Sequence, residues 1–498
     1  MGAPVLAIAV FFLMPGGEGG APLAARATAA IGALMAALWM TEALPLPATS
    51  LLPIALFPIA GVATIKEASA PYANPLIYLF MGGFLIALAM EKWGLHKRIA
   101  LRVILAVGTK PARLVGGFML ASAFLSMWIS NTATTVMMLP IGLSVLRLVE
   151  EQERDDDGDR APGAIASDPN FSVCLLLGLA YAASIGGVAT PIGTPPNVIL
   201  LGFLQDEFGL QISFSRWMFA ALPISAAFLF ITWLLLTRVV FPLKIKDIPG
   251  GRALIRKELA ALGRMSRGEW IVLTIFVSAA LTWMLRGAFV KQIWGDKPPV
   301  YMGNLTDAGV AVIAGVLLFA IPVNVKRSVF VLDWETAKKL PWGVLLLFGG
   351  GLSLAAAVGS SGLDDWIGAQ VAGASSLSGV FIIALVTTIV IFLTELTSNT
   401  ATATTFLPIL AGAAVGLRVA PLTLLVPAAI AASFAFMMPV ATPPNAIVFG
   451  SGHVRIGQMV KAGVILNIIG IAIITLAVYT SVAWALGSIA PGAGVGAP

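Results

Sequence analysis

Two stretches of this chain share the uncharged polar motif SNTAT. They are "SMWISNTATTVMMLP", Ser126–Pro140, and "TELTSNTATATTFLP", Thr394–Pro408, and both close on Leu-Pro. The offset between the two motifs is 398 − 130 = 268 residues. Because hydroxyl and amide groups are costly in apolar surroundings unless they are paired, a repeated cluster of them indicates a function.

A second motif also occurs twice, downstream of each SNTAT. "PIGTPPNVILLG" (Pro191–Gly202) and "PVATPPNAIVFG" (Pro439–Gly450) are 248 residues apart, and an F-x-G-G pattern at 80–83 and 348–351 precedes SNTAT at the 268-residue offset. The difference, 268 − 248 = 20 residues, matches the acidic segment 150–169, which has no counterpart in the second half and is interpreted as a solvated connector. Paired, interrupted apolar segments in two halves indicate the binding site of a secondary transporter.

The composition is that of a membrane protein. Of the 498 residues, 58% are hydrophobic and 11% are charged, against roughly 25% charged in soluble domains. The net charge of +6 lies in connecting segments, which argues against nucleic-acid binding. One cysteine and two histidines exclude a disulfide framework and leave little for metal or acid–base chemistry. The apolar start is interpreted as a short or truncated first span rather than a signal peptide, because it lacks a basic region and a clear cleavage site.

The apolar runs and motifs predict an all-α polytopic membrane protein. Spans are expected near 2–14, 24–44, 48–63, 74–91, 215–241, 269–290, 305–323, 341–358 and 461–487. Re-entrant hairpins are expected at 110–146 and 377–415, and broken helices at 171–206 and 421–450. Surface helices are expected at 91–108 and 361–373.

The distribution of charge predicts that the two halves are inverted. The most basic segment, Arg238–Arg267, is assigned to the cytoplasm by the positive-inside rule. Counting spans outward from it places the basic surface helix 91–108 inside as well. The matching segment of the second half, 360–376, has no Lys or Arg and comes out on the outside. Equivalent segments then face opposite sides of the membrane, as in an inverted repeat.

Both motifs supply oxygen ligands that suit a hard cation. Adjacent prolines end a helix and leave upstream carbonyls without helical partners, and hard ions prefer carbonyl, hydroxyl and amide oxygens. One predicted sodium set is Ser126, Ser130 and Asn131 with the backbone of Gly193, and the other is Thr394, Thr397 and Asn399 with the backbone of Ala441.

The same motifs suit an anion. Each places Ser, Thr or Asn at the start of a helical run, where free N–H groups and the helix dipole attract negative charge. Neither motif contains Lys or Arg, so a dianion would be held by amides, hydroxyls and helix ends and balanced by bound cations. Sodium coupling would then follow, since the anion site is electrostatically incomplete without the cations. For a single motif the alternative is helix packing by hydroxyls, and for the acid Glu395 it is stabilisation of the hairpin.

These residues resemble the divalent anion/sodium symporters, which carry dicarboxylates, citrate or sulfate with sodium. The resemblance runs from "WMTEALPLPATSLLPIALFPIAGV" (Trp39–Val62) to the last span and rests on the paired Ser-Asn-Thr and TPPN motifs. It implies about eleven transmembrane helices, two re-entrant hairpins, two broken helices, a homodimer and an elevator motion of a transport domain. It implies the same two sodium sets, with the main-chain carbonyl of Thr397 as a ligand. By the family's motif, the substrate carboxylates would contact Asn131, Thr132, Thr194, Pro195, Asn399, Thr400, Thr442 and Pro443.

The predicted function is sodium-coupled symport of a C4 dicarboxylate such as succinate, malate or fumarate, in a bacterial inner membrane. The expected partners are a small dianion, sodium as the coupling ion, the lipid bilayer and a second copy of the chain, with no cofactor. The predicted scaffold is 1–68, 211–340 with a basic cytoplasmic loop at 242–268, and 453–498, and the predicted transport domain is 69–210 and 341–452.

Several alternatives stay open at this point. The motifs do not decide between symport, sodium-independent dicarboxylate exchange, and carriage of sulfate, citrate or tartrate. An enzyme is not expected, because the motifs offer Ser and Thr without an adjacent His, Asp or Lys. A channel is disfavoured, since interrupted helices that meet at the midplane suit alternating access better than a continuous pore.

Overall fold

The computed structural model describes residues 2–17, 20–156, 169–245, 247–248, 250–294 and 299–487. Within these ranges the chain is helical apart from connecting segments and one pair of antiparallel strands, Pro322–Asn324 and Val329–Phe330, which the sequence did not predict. Most of the predicted acidic connector, 157–168, lies outside the described residues. In the described part of the chain, eight helices are long and apolar enough to cross a bilayer: Leu23–Thr41, Ile65–Lys92, Asn131–Val149, Pro169–Val188, Phe214–Val240, Arg267–Val290, Trp342–Ser361 and Ile456–Leu486.

Most of the predicted spans correspond to helices whose ends shift by a few residues. They are Gly2–Leu13, Leu23–Thr41, Pro75–Lys92, Phe214–Leu234, Arg267–Trp294, Asp307–Ala320, Trp342–Ser361 and Ile456–Ala477. π-helical turns extend two of them, to Val240 and to Val482. Shorter helices lie at Ile65–Ser69, Gly251–Ala261, Val300–Gly303, Trp334–Ala337 and Ala483–Leu486.

The span predicted at 48–63 is wrong as a single helix. It consists of Leu46–Thr49 and Leu52–Ile59. Pro53 has no N–H to donate to the carbonyl of Thr49, so a continuous helix would lose a hydrogen bond and meet the proline ring at this point.

Both SNTAT motifs lie at the tip of a helical hairpin. Hairpin 1 consists of Pro111–Ser126 and Asn131–Asp156, and hairpin 2 of Gly379–Thr394 and Asn399–Gly416. In each hairpin the motif asparagine is the first residue of the second helix. The two predicted hairpins therefore turn at 127–130 and 395–398.

Both TPPN motifs lie where a helix is interrupted. Broken helix 1 consists of Pro169–Val188 and Pro195–Phe208, and broken helix 2 of Pro421–Ala431 and Pro443–Gly450. The interruptions are 189–194, called break 1, and 432–442, called break 2. Proline begins the second part of each helix, where its missing N–H would have had no helical partner. All residues from Val173 to Val188 are buried, so broken helix 1 holds break 1 deep inside the protein.

The two predicted surface helices are Leu95–Val107 and Leu363–Val371. The first is tied down by a buried ion pair, in which Arg98 Nε lies 2.6 Å from Glu269 Oε1. The second helix packs closely on hairpin 2 through two glycines. A Cβ on Gly416 of the hairpin would lie 2.0 Å from the backbone oxygen of Gly368 in the helix. The predicted basic loop 242–268 contains the helix Gly251–Ala261.

The repeated F-x-G-G pattern brings helices into close contact. A Cβ on Gly82 would lie 2.4 Å from the backbone oxygen of Ala311, and one on Gly350 would lie 2.4 Å from that of Ser50. Only glycine allows these approaches without a shift of backbone. The pattern therefore marks equivalent helix–helix packing sites in the two halves.

Candidate substrate and cation site

The hairpin tips and the helix breaks meet around one cavity of about 510 Å³. The four helix N-termini expected from the sequence open into it, two from SNTAT and two from TPPN. This arrangement presents the positive ends of four helices to one ligand, and the two helices that begin at Asn131 and Asn399 add backbone N–H groups, which together suit an anion. All eight residues predicted to contact a substrate line the cavity: Asn131, Thr132, Thr194, Pro195, Asn399, Thr400, Thr442 and Pro443.

Apolar and charged residues outside the SNTAT and TPPN motifs complete the lining of the cavity. Phe80, Phe84 and Val344 form part of the wall, and Glu91 and Lys339 are its charged side chains. Both charged residues are exposed, which places them at the mouth of the cavity rather than at its floor. The sequence assigned none of these residues to the site, although the repeated F-x-G-G pattern, which contains Phe80, was an available signal.

Oxygen atoms of hairpin 1 and break 1 converge at the first predicted sodium set. The Ser126 hydroxyl donates to Asn131 Oδ1 over 2.6 Å. Gly187 faces the same point, since a Cβ there would lie 2.6 Å from Asn131 Oδ1 and 2.9 Å from the carbonyl oxygen of Gly193. The fourth predicted ligand, Ser130, accepts a hydrogen bond from the N–H of residue 133 as a helix cap. The clustered hydroxyl, amide and carbonyl oxygens form a donor set that fits sodium.

The second predicted sodium set repeats this pattern in hairpin 2. Thr394 Oγ1 lies 2.9 Å from Asn399 Oδ1 and 2.9 Å from the carbonyl oxygen of Ala432. The Thr397 hydroxyl makes a hydrogen bond of 2.6 Å with the hydroxyl of Thr402. Its side chain is therefore engaged within the hairpin, which leaves the main-chain carbonyl as the group available for the predicted role. Ala441 lines the cavity at the end of break 2.

The last residue of each TPPN motif holds its break together. Asn197 Nδ2 donates to the carbonyls of Gly187 at 3.3 Å and Thr190 at 2.7 Å. Asn445 Nδ2 donates to the carbonyls at 435 and 438, both at 3.1 Å. At the 248-residue offset, positions 435 and 438 correspond to Gly187 and Thr190, so the equivalent asparagine makes the same two hydrogen bonds in each half. No role is predicted for these asparagines from the sequence, although their duplication is a signal for one.

Glu395 marks the main difference between the two hairpin tips. Its carboxylate accepts hydrogen bonds from the N–H groups of Phe436, Met437 and Met438 in break 2, at 2.7 to 3.1 Å. The side-chain amide of Asn467, in the helix Ile456–Ala477, donates to it at 2.7 Å. The equivalent position in hairpin 1 is Met127. These contacts hold the tip of hairpin 2 against break 2.

A sequence model of the family described as the sodium:sulfate symporter transmembrane region matches residues 1–487. The chain belongs to this symporter family. It is 45% identical over 459 residues to the sodium-dependent dicarboxylate transporter SdcS of Staphylococcus saprophyticus, covering 92% of this chain and 86% of that protein. It is 44% identical over 451 residues to SdcS of Staphylococcus aureus strain USA300, covering 90% and 84% of the two chains.

Family membership confirms the predicted resemblance to the divalent anion/sodium symporters. A member of this symporter family is a transporter and not an enzyme, as the sequence predicted. The apolar spanning helices and the bacterial relatives place the symporter in a bacterial plasma membrane.

Two solved structures share the fold of this symporter. The YdaH transporter of Alcanivorax borkumensis superposes with a TM-score of 0.57 at 14% identity, covering 88% of this chain and 90% of that one. MtrF of Neisseria gonorrhoeae superposes with a TM-score of 0.53 at 12% identity, covering 97% of each chain. At these identities the likeness concerns the fold alone, and it confirms a predominantly helical transporter architecture.

Proposed function

We propose that this symporter couples sodium to the uptake of a C4 dicarboxylate such as succinate, malate or fumarate. The observation that carries the proposal is the single cavity into which polar helix N-termini from both halves open. Its volume of about 510 Å³ lies within the roughly 300–1,000 Å³ typical of small-molecule sites. Two similar proteins are named sodium-dependent dicarboxylate transporters, which supports this substrate class.

The duplicated motifs suit a ligand with a carboxylate at each end. One carboxylate would lie against Asn131 and Thr132 at the tip of hairpin 1, and the other against Asn399 and Thr400 at the tip of hairpin 2. The N-termini at the two TPPN motifs would add the positive ends of their helix dipoles to the same anion, although their first two residues are prolines without an N–H. Because the motifs carry no Lys or Arg, most of the opposite charge must come from bound sodium ions.

The two asparagines connect the cation sets to the anion site. Asn131 and Asn399 each line the cavity and contact the hydroxyl of a predicted sodium ligand behind it. A sodium ion bound to either amide oxygen would therefore fix the tip residues that face the substrate. Sodium and dicarboxylate would each raise the affinity of the other, as thermodynamic linkage requires.

The side of the membrane on which the cavity opens follows from the charges at its mouth. Lys339 lines the mouth and is followed by the spanning helix Trp342–Ser361. Lys92 belongs to the basic segment 91–108, which the positive-inside rule assigns to the cytoplasm, and it pairs with Asp333, shortly before Lys339 in the sequence. We assign the structure to an inward-open state of an eleven-span protomer with inverted repeats.

An elevator motion would carry the hairpins and broken helices together across the membrane. Two spans that the sequence assigned to the scaffold make hydrogen bonds with these elements. In Phe214–Leu234, Trp217 Nε1 donates to the Val188 carbonyl at 3.1 Å and Ser225 Oγ donates to that of Ile185 at 2.8 Å. The helix Ile456–Ala477 contacts hairpin 2 through Asn467. We therefore place both spans in the mobile unit, with the other spans of the predicted scaffold forming the scaffold of a homodimer.

Uptake of radiolabelled succinate into proteoliposomes tests the proposal. An inward sodium gradient should drive accumulation, and replacing sodium by potassium should abolish it. Uptake in potassium that requires succinate inside the vesicles would instead identify a dicarboxylate exchanger. Uptake that excess sulfate or citrate inhibits while malate and fumarate do not would overturn the C4 assignment.

A further inference from the structure

A second cavity, of about 390 Å³, shares no lining residue with the candidate substrate and cation site. One side of its wall is formed by the helices Gly2–Leu13 and Leu23–Thr41, and the other by Trp342–Ser361, Leu363–Val371 and hairpin 2. Its volume lies within the roughly 300–1,000 Å³ typical of small-molecule sites. The cavity is therefore large enough to hold a ligand of its own.

The wall of this second cavity is apolar and, in the part of the chain that the structure describes, carries no charged side chain. Leu354, Val358 and Trp366 are representative of its lining. A charged ligand would give up its hydration here without gaining a partner of opposite charge. The ligand that fits is therefore uncharged and largely hydrocarbon.

Two threonine hydroxyls on this wall have no hydrogen-bond partner among the described residues. They belong to Thr28, in the helix Leu23–Thr41, and to Thr405, in hairpin 2. Thr28 is completely buried, with 0% of its surface exposed. A threonine in a helix can give its hydroxyl to the carbonyl four residues earlier, as Thr41 and Thr404 do. Thr28 and Thr405 do not, so their hydroxyls are available to a ligand.

An uncharged amphiphile matches this wall better than water does. A buried water typically makes about three hydrogen bonds to polar groups, whereas the side chains here offer two hydroxyls within an apolar surface. A hydrocarbon chain that ends in one hydroxyl or carbonyl group would cover the apolar side chains. Its polar end could pair with either threonine, since a threonine hydroxyl both donates and accepts. The pairing would also remove the free-energy cost of an unpartnered buried hydroxyl.

We propose that this cavity binds an uncharged amphiphile, a hydrocarbon chain with one hydroxyl or carbonyl group, and that the bound molecule slows transport. The helices Gly2–Leu13 and Leu23–Thr41 belong to the predicted scaffold, and the other wall belongs to the predicted transport domain. A molecule in contact with both would connect two parts that must move past each other in an elevator motion. The effect on transport rests on the proposed function, whereas the binding does not.

Photolabelling of the full-length protein in lipid nanodiscs tests the binding. The probe is an octanol that carries a diazirine, used with and without excess n-octanol, and labelled residues are located by mass spectrometry. Label should be found on lining residues such as Met14, Trp366 and Ile409, and excess n-octanol should remove it. Label spread over lipid-facing helices, with no protection by n-octanol, would overturn the proposed site.

Thr28→Val tests the hydrogen bond, because it removes the hydroxyl and keeps the shape of the side chain. The n-octanol concentration that gives half-maximal protection should rise about threefold or more, as expected for the loss of a neutral hydrogen bond. Thr49→Val is the matched control and should behave as wild type. Thr49 is equally buried and also lacks a hydrogen-bond partner within the described ranges, but it does not line the cavity.

The effect on transport is measured by sodium-driven succinate uptake into proteoliposomes that contain n-octanol. The maximal rate should fall while the succinate KM stays within about twofold, because the substrate-facing residues lie in the other cavity. Thr28→Val should need about threefold more n-octanol for the same inhibition, and Thr49→Val should not. A general effect of n-octanol on the bilayer would inhibit both variants equally, which would overturn the role in transport.

The outcomes separate this inference from the function proposed above. If half-maximal protection is the same in wild type and Thr28→Val, the hydrogen-bonded site is overturned and the proposed function stands. If Thr28→Val does not yield folded protein, unchanged protection in Thr405→Val would overturn the site in the same way. If wild type shows no sodium-driven uptake, the proposed function and the role in transport are overturned, and the labelling still decides whether the cavity binds the amphiphile.

Discussion

The two halves of the site present the same motifs to the cavity but attach them to the protein differently. Break 1 spans 189–194 and is closed by glycine contacts and a threonine hydroxyl, whereas break 2 spans 432–442 and is held by the carboxylate of Glu395. The asparagine bonds of TPPN are the same in both. The residues repeated in both halves therefore supply the polar groups that face the cavity, while residues present in only one half determine how each hairpin tip is attached to its break.

The largest expected effect comes from residues that both halves share. Asn131→Ala and Asn399→Ala should each reduce sodium-driven succinate uptake by about 100-fold or more, because each removes an oxygen that serves both cation and substrate. Uptake into proteoliposomes, normalised to folded protein by size-exclusion chromatography, measures this. Normal transport with normal sodium dependence in either variant would show that the site is placed wrongly.

Substitution of Gly187, a glycine found only in the first half, should affect the first cation set and not the second. Gly187→Ala puts a methyl group 2.6 Å from Asn131 Oδ1, so the first cation set must shift, and we expect sodium half-saturation of uptake to rise about tenfold or more. Ala435 occupies the equivalent position in the second half. Ala435→Gly is the matched control and should stay within about twofold of wild type. An equal effect of both changes would contradict the difference drawn between the breaks.

The TPPN asparagines sharpen the comparison, since both halves should respond alike. Asn197→Ala and Asn445→Ala each remove buried hydrogen bonds to carbonyls, which costs roughly 1–3 kcal/mol of folding free energy when the partners are left unpaired. The apparent Tm of the purified protein should fall by a similar amount in the two variants. A drop in only one of them would show that the bonds are equivalent in geometry but not in energy.

The positive charge of Lys339 at the mouth of the cavity is a further difference between the halves, and its removal should have a smaller effect on transport than the changes above. Lys339 lines the mouth, whereas the equivalent position in the first half is Pro71. Lys339→Gln should raise the succinate KM measured from the cytoplasmic face, by sodium-coupled efflux, about two- to threefold at low ionic strength, with less effect at high salt, because an exposed charge acts by steering. Lys338→Gln is the control, since Lys338 pairs with Glu335 and does not line the cavity. Similar effects of both changes would assign the result to general surface charge.

The acidic connector is the longest sequence difference between the halves and should have the smallest effect. It is absent from the second half, which nonetheless carries both motifs. Deleting 157–168 should leave the sodium half-saturation and the succinate KM within about twofold of wild type, in the same uptake assay. A shift in sodium affinity would give the connector a role that the duplicated site does not explain.

Much of the fold and of the cavity lining could be predicted because the information is local and repeated. SNTAT and TPPN mark helix starts by their own cap and proline chemistry, which explains why the hairpins turn at 127–130 and 395–398. The eight residues predicted to contact the substrate all line one cavity. The split of the predicted span at 48–63 was missed even though Pro53 is also a local signal.

The start of break 2 could not be predicted, for a different reason. The TPPN motif determines where each break ends, but the two breaks begin at different points. Break 2 begins at Ala432, which is equivalent to position 184 of the first half at the 248-residue offset, whereas break 1 begins five residues later, at 189. The N–H groups of 436–438 bind Glu395, which lies some 40 residues away in sequence. Contacts of this kind depend on how the hairpin packs, and no spacing rule in the sequence encodes them.

The central claim is that the anion site is incomplete until the cations are bound. Isothermal titration of succinate into the detergent-solubilised protein, at matched ionic strength in sodium and in potassium, tests it most directly. We expect the succinate Kd to be lower in sodium by at least about tenfold and to fall further as the sodium concentration is raised. The same Kd in both salts would contradict the account, because the polar clusters would then serve the anion alone.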